Sequence, residues 1–255
     1  MLNPGSLTVL GLGPGSPAQR TPEVEAALAE ATDLVGYAPY VARVPHRPGL
    51  YRHASDNRVE LDRARHALQL AKAGARVAVV SGGDAGVFAM ASAVFEALEA
   101  GDPAWRALDI RVLPGISAMF AAAARIGAPL GHDFCAISLS DNLKPWEVIQ
   151  HRLLAAALGG FVMALYNPLS RARPWQLGAA FTLLRQHLPG TVPVIFATAV
   201  TRPDERITVT TLAEADPALA DMRTLVMVGT AATRLLPRPG GACPWVYSPR
   251  SVPAS

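Results

Sequence analysis

Cysteine, lysine and aromatic side chains are all scarce in this chain of 255 residues, and it has no long apolar run. The two cysteines, Cys135 and Cys243, stand far apart and belong to no Cys-x-x-Cys or Cys/His cluster, so a structural zinc site and a disulfide framework are excluded and no metal is expected. The opening MLNPGSLTVLGLG lacks a basic stretch and breaks its apolar residues with glycine, so no secretory signal is read there and a reducing cytoplasm is the expected location. The longest uncharged apolar run, Leu153–Leu165, falls short of the roughly 20 residues that a membrane span requires, so no membrane partner is expected. A surplus of one charge sign is missing as well. Lys and Arg number 23 against 20 Asp and Glu, a net +3 with no basic run, which argues against nucleic acid as a partner. Lys72 and Lys144 are the sole lysines, so positive charge resides on guanidinium forks suited to carboxylates or phosphates.

What is present is apolar residue, at 51%, with 21 Gly and 22 Pro to punctuate it. Short β-branched runs alternate with Ala/Leu-rich amphipathic stretches, the pattern of an α/β protein. Strands are expected at 7–13, 33–36, 76–81 and 109–114, and helices from Thr21-Pro22, over 59–73 and over 86–99. Helices at 116–126, 145–158 and 173–187 then alternate with strands at 134–140 and 161–166. Three closing strands, 193–200, 207–212 and 224–229, have connections short enough for antiparallel pairing. This predicts two α/β domains, 1–115 with a mainly parallel sheet and 116–255 with a mixed one.

Two turns stand out. GLGPGS (11–16) follows the first strand but departs from the dinucleotide fingerprint: Ser16 occupies the last glycine position and Pro14 removes an amide. SGGDAGVFAMA (81–91) ends a buried strand with two glycines and an acid, at the strand end where open α/β sheets bind ligands. LPGISAMFA (113–121) repeats that geometry.

Together with ALYNP (164–168) and TAVTRPDE (198–205), these motifs resemble the tetrapyrrole methylases, S-adenosylmethionine-dependent enzymes of corrin and sirohaem synthesis. The resemblance covers about residues 7–247. VGYAPYV (35–41), SLSDNLKPWEVI (138–149) and YNPLSR (166–171) are similar to the ring-contracting branch of that family. It implies a ligand cleft between the two domains and S-adenosylmethionine as methyl donor. It implies donor contacts at Gly82, Gly83, Asp84, Val87, Ser117, Ala118, Leu165 and Val200, with Pro14 on the loop facing the substrate entrance. It further implies a tetrapyrrole substrate and a homodimer. The family turn is usually GGDP, where this chain has Ala85. Uroporphyrinogen methylases carry Asp and Arg where Ala38 and Met90 stand here, which argues against that relative.

Methyl transfer from a sulfonium needs positioning, whereas ring contraction also moves protons and so needs acid/base groups. Asp141, just past a strand end in the second half, is the first candidate, and His132 in GAPLGHDF the second. Tyr37 and Tyr40 are candidates to stack on or hydrogen-bond the macrocycle. Arg171, Arg173 and Arg202 are candidates to grip its acidic arms through guanidinium forks.

Overall fold

The computed structural model describes residues 5–56, 59–170 and 172–251. It divides into two compact units between Ala118 and Met119. The sequence-based boundary at 115/116 lies in the same short segment leading into a helix.

In the first unit, β1 (Ser6–Gly11) leads through a turn to α1 (Pro22–Glu30), whose start is set by Thr21: its hydroxyl accepts from the Val24 amide at 3.2 Å, with Pro22 at the first helical position. Next come β2 (Asp33–Tyr37), the single turn α2 (Ala38–Val41), β3 (Tyr51–Ser55), α3 (Glu60–Lys72), β4 (Arg76–Ser81), α4 (Met90–Ala100) and β5 (Asp109–Leu113). All strand pairs are parallel, in the order β3-β2-β4-β1-β5. Successive residues of β4 face opposite sides, so Val77 and Val79 pack with Ala64, Leu68 and Val94 of α3 and α4. Ala78 and Val80 pack with Val24, Leu28 and Val41 of α1 and α2. Both faces are thus covered, as a parallel sheet requires.

The second unit is built on α5 (Ala118–Ile126), β6 (Gly127–Ala128), β7 (Phe134–Ser138), α6 (Trp146–Leu158), β8 (Val162–Tyr166), α7 (Gln176–Arg185), β9 (Pro193–Thr198), β10 (Arg206–Thr211), β11 (Thr224–Val228), β12 (Arg234–Leu236) and β13 (Trp245–Tyr247). Its main sheet runs β10-β9-β11-β8-β7. The β7/β8 pair is parallel and the pairs involving β11 or β10 are antiparallel, so the sheet is mixed as expected. Ile149 and Leu153 of α6 and Leu177 and Phe181 of α7 cover Ile137, Met163, Leu165, Phe196 and Val226. Among the described residues no helix is long and apolar enough to cross a membrane.

Two helix starts are corrected, and two features are added that the sequence pattern did not announce. The helix expected from Gly86 begins at Met90, because competing groups take the amides: Asp84 accepts from Gly86 and the Ser81 hydroxyl from Met90. The helix expected from Arg173 begins at Gln176, because Ser170 and Arg173 exchange main-chain hydrogen bonds in a tight turn. Strand β3 was missed. Its sequence YRHAS has no β-branched residue, and β3 lies at a sheet edge, where burial imposes no apolar pattern. The small sheet β12-β13-β6 was also missed, since none of its strands exceeds three residues.

Candidate functional site

Parallel strands deliver their carboxyl ends to one edge, and in the first unit that edge gathers the three glycine turns. Gly13 and Gly83 exchange main-chain hydrogen bonds of 3.0 and 2.9 Å, joining the turn after β1 to the turn after β4. Glycine is required there by packing. A Cβ on Gly115 would lie 2.3 Å from the Gly83 carbonyl oxygen, and one on Gly11 would lie 2.7 Å from both the Gly83 oxygen and the Gly115 nitrogen. Gly83 also holds φ +66°, a conformation glycine adopts freely.

Asp84 secures this arrangement. Its Oδ1 accepts from the Gly86 amide at 2.8 Å and its Oδ2 from the Gly115 amide at 3.0 Å, so one carboxylate ties the turn after β4 to the turn after β5. Ser117 is buried beyond the Pro-Gly turn, Ala118 and Val87 are half-buried, and Pro14 is half-buried on the turn after β1. The Tyr40 ring packs on Gly82, where an added Cβ would stand 2.8 Å from the ring, and Tyr37 meets Tyr40 edge to face at 5.5 Å.

Two further groups on this edge escaped sequence reading. Arg43 donates through Nη2 to the carbonyls of Leu12 and Gly13, both at 2.9 Å, and of Gly15 at 3.3 Å, bracing the glycine-proline turn. Arg63 is buried between the Ser55 hydroxyl, the Met90 sulfur and the Asp56 carbonyl, and burial lowers its pKa. Arg43 reaches carbonyls 28–31 residues away and Arg63 reaches Met90, 27 residues away, which no local pattern announces.

In the second unit β7, β8 and β9 point their carboxyl ends to a common edge. Asp141, after β7, accepts at both carboxylate oxygens from Nε2 of Gln176, at 3.1 Å each. Gln176 is itself buried, and its Oε1 has no hydrogen-bond partner. Trp146, the first residue of α6, and Trp175, directly before Gln176 at the start of α7, meet edge to face at 4.9 Å, with Trp175 about half exposed. Arg173, half-buried, precedes Trp175 in the same segment. Lys144 has its pKa lowered by burial and by Arg152. After β8, Asn167 donates to the Ser138 hydroxyl at 3.0 Å from a left-handed conformation, φ +51°. After β9, Val200 sits between two more left-handed residues, Ala199 (φ +50°) and Thr201 (φ +67°). Such conformations are strained for alanine and more so for β-branched threonine. Glu205 accepts from the Thr201 amide and from Arg125 Nε at 3.1 Å, and Arg202 closes the same turn.

The structure separates some of the predicted residues. His132 precedes β7 and Asp141 follows it, so a five-residue strand rising about 3.3 Å per residue lies between them. The Leu165 side chain is wholly buried in the α6/α7 core, leaving only its main chain for a ligand. Arg171 lies outside the described residues. The Gly82–Asp84 turn, Val87, Ser117, Ala118, Pro14, Tyr37 and Tyr40 belong to the first unit; Asp141, Leu165, Arg173, Val200 and Arg202 belong to the second.

The profile of the tetrapyrrole (corrin/porphyrin) methylases matches residues 6–216. A precorrin-3B C(17)-methyltransferase of Sinorhizobium sp is 59% identical over 96% of both chains. A probable cobalt-factor III C(17)-methyltransferase of Salmonella typhimurium is 41% identical over 89% of this chain and 93% of its own. The crystal structure of the methyltransferase CobJ, at 59% identity, superposes with a TM-score of 0.91 over 96% of this chain and all of that one.

Proposed function

The chain belongs to the tetrapyrrole (corrin/porphyrin) methylase family, and from that premise we propose that it methylates carbon 17 of precorrin-3B, with S-adenosylmethionine as donor and contraction of the macrocycle accompanying transfer. The observation that carries this reading is the match at 59% identity over 96% of both chains to a precorrin-3B C(17)-methyltransferase. The lower identity to the cobalt-factor III relative favours the metal-free substrate.

The donor supplies, when bound, an electrophilic methyl group on a sulfonium. The chain's task is to hold donor and acceptor in line, which is worth up to about 7–11 kcal/mol of barrier. Gly82, Gly83, Ser117 and Ala118, with Val87, present main chain and small side chains, a surface that a donor can approach closely. Asp84 keeps these turns in place through its two amide contacts rather than by offering a free carboxylate to the donor. Leu165 and Val200 contribute main-chain groups, and Pro14 borders the substrate.

Contraction expels a macrocycle carbon as an acetyl group, so a proton must be taken up and returned. Asp141 is the group for that work: Gln176 donates to both of its oxygens, which fixes the direction of the carboxylate. Tyr37 and Tyr40 flank the macrocycle, and Arg171, Arg173 and Arg202 grip its acetate and propionate arms. We read the working form as a cytoplasmic homodimer; the half-exposed Phe95 and the more exposed Leu158 supply helix-borne apolar surface for pairing, which sedimentation velocity checks.

The test is incubation with methyl-labelled donor and precorrin-3B. Label on carbon 17 of a ring-contracted product is expected. Label on another ring carbon would reassign the site of methylation. Pigment binding with neither label transfer nor affinity for S-adenosylhomocysteine would make the chain a carrier.

A further inference from the structure

The first unit carries a chain of titratable groups that the methyl-transfer reading leaves unused. Asp33 opens β2, His53 is the middle residue of edge strand β3, and His66 lies on α3. Oδ1 of Asp33 lies 2.9 Å from Nε2 of His53, while Oδ2 accepts from the Thr32 hydroxyl at 2.8 Å. A carboxylate can only accept, so this contact puts a proton on Nε2 of His53, and in the neutral tautomer Nδ1 carries the lone pair. Nδ1 of His53 is 3.0 Å from Nε2 of His66, with ring centroids 4.8 Å apart. Partial burial of the ring, and then His53 beside it, lower the pKa of His66, which favours the neutral ring.

We propose that His53 and His66 form a binding site for a divalent transition-metal ion, with Asp33 as the carboxylate behind it, which ties edge strand β3 to helix α3. Two imidazole nitrogens each about 2.1 Å from one ion, in adjacent positions of an octahedron, lie about 3.0 Å apart. That is the separation between Nδ1 of His53 and Nε2 of His66. A histidine ligand ordinarily donates its other ring N–H to a carboxylate or carbonyl, as His53 does to Asp33. On binding, the ion replaces the hydrogen bond between the rings and the proton of His66 Nε2 moves to its own Nδ1, with no net proton released. Among the described residues no group of three or more His, Cys, Asp or Glu is placed to hold a metal, so the protein supplies two ligands and water completes the shell from the exposed side of His66. Imidazole ligands select cobalt, nickel, copper or zinc over magnesium and calcium. The ion anchors β3, which pairs with β2 alone, and stabilises the folded chain by mass action.

The experiment is calorimetric titration of the tag-free full chain with Co²⁺ and Ni²⁺, paired with thermal midpoints measured with each ion and with EDTA. We expect one equivalent bound per chain and an ion-dependent rise in midpoint. His66→Gln and His53→Gln should each weaken binding at least tenfold and abolish the rise. Asp33→Asn should weaken it roughly 10–100-fold at unchanged stoichiometry. His66 is exposed on its helix, so His66→Gln should keep the wild-type midpoint in EDTA, and methyl transfer by the metal-free enzyme should not change. Binding that His66→Gln leaves intact would place the ion on other histidines and overturn the site, as would the absence of saturable binding to wild type.

Discussion

At the carboxyl edge of the first unit, Gly11, Gly83 and Gly115 meet main chain against main chain, and a single carboxylate, Asp84, spans two turns through their amides. At the carboxyl edge of the second unit, the left-handed positions are filled by Asn167, Ala199 and Thr201, and the polar contacts run between side chains, Asp141 with Gln176 and Asn167 with Ser138. The first edge is built from backbone with side chains removed; the second is built from side chains aimed by a strained backbone. A donor with a fixed shape suits the first, because close approach to main chain needs glycine. Proton movement suits the second, because only side chains titrate. Substitutions on the first edge should therefore change donor affinity and stability together, and substitutions on the second should change rate at constant stability.

The largest effect is expected from Asp141→Asn. Asparagine keeps an oxygen for Gln176 Nε2, so the local fold survives, but the proposed general base is gone. The turnover number for the contracted product should fall roughly 10²–10⁴-fold, with the dissociation constant for S-adenosylhomocysteine unchanged. Turnover near wild type would reduce Asp141 to a turn residue.

Asp84→Asn comes next and probes the first edge. Asparagine offers one oxygen and one NH₂ group, so whichever way it turns, either the Gly86 or the Gly115 amide faces a donor. Losing one hydrogen bond and stranding one N–H costs about 1–3 kcal/mol, read as a lower thermal midpoint. S-adenosylhomocysteine should bind at least several-fold more weakly, since the turns proposed to meet it are no longer tied. Unchanged affinity alongside a lowered midpoint would separate the clamp from the donor site.

Asp84 also shows how far the sequence could be read. The GGD turn and its place at a strand end were both legible, because two glycines and an acid directly after a buried β-branched strand mark a tight turn at that strand's carboxyl end. What the acid does was not legible, since its partner Gly115 lies 31 residues away. The same holds for Gln176, whose partner is 35 residues away, and for Arg43, whose three carbonyl partners are 28–31 residues away. Strands read well where both faces are buried, as in β4, whose bounds are those expected. They read poorly at the edge strand β3, where neither face had to be apolar. The start of α4 was misplaced because Asp84 and Ser81 take up amides that helical periodicity assigned to the helix.

The smallest expected effect crosses the comparison, since Val200 sits on the side-chain edge yet is read as a donor contact. Ala199→Gly relieves a left-handed alanine, worth about 1–2 kcal/mol. Against that stand about 0.8 kcal/mol for the buried methyl and about 0.5–1 kcal/mol of added freedom in the unfolded chain. The terms nearly cancel, so the thermal midpoint should stay close to wild type. Donor affinity should not: the strained pair Ala199 and Thr201 fixes the direction of the Val200 main chain, and glycine at 199 lets it swing. S-adenosylhomocysteine should bind a few-fold more weakly at unchanged stability, a signature that neither Asp84→Asn nor Asp141→Asn produces. If affinity holds, the strain at 199 serves the turn through Arg202 and Glu205, and donor recognition belongs to the glycine edge.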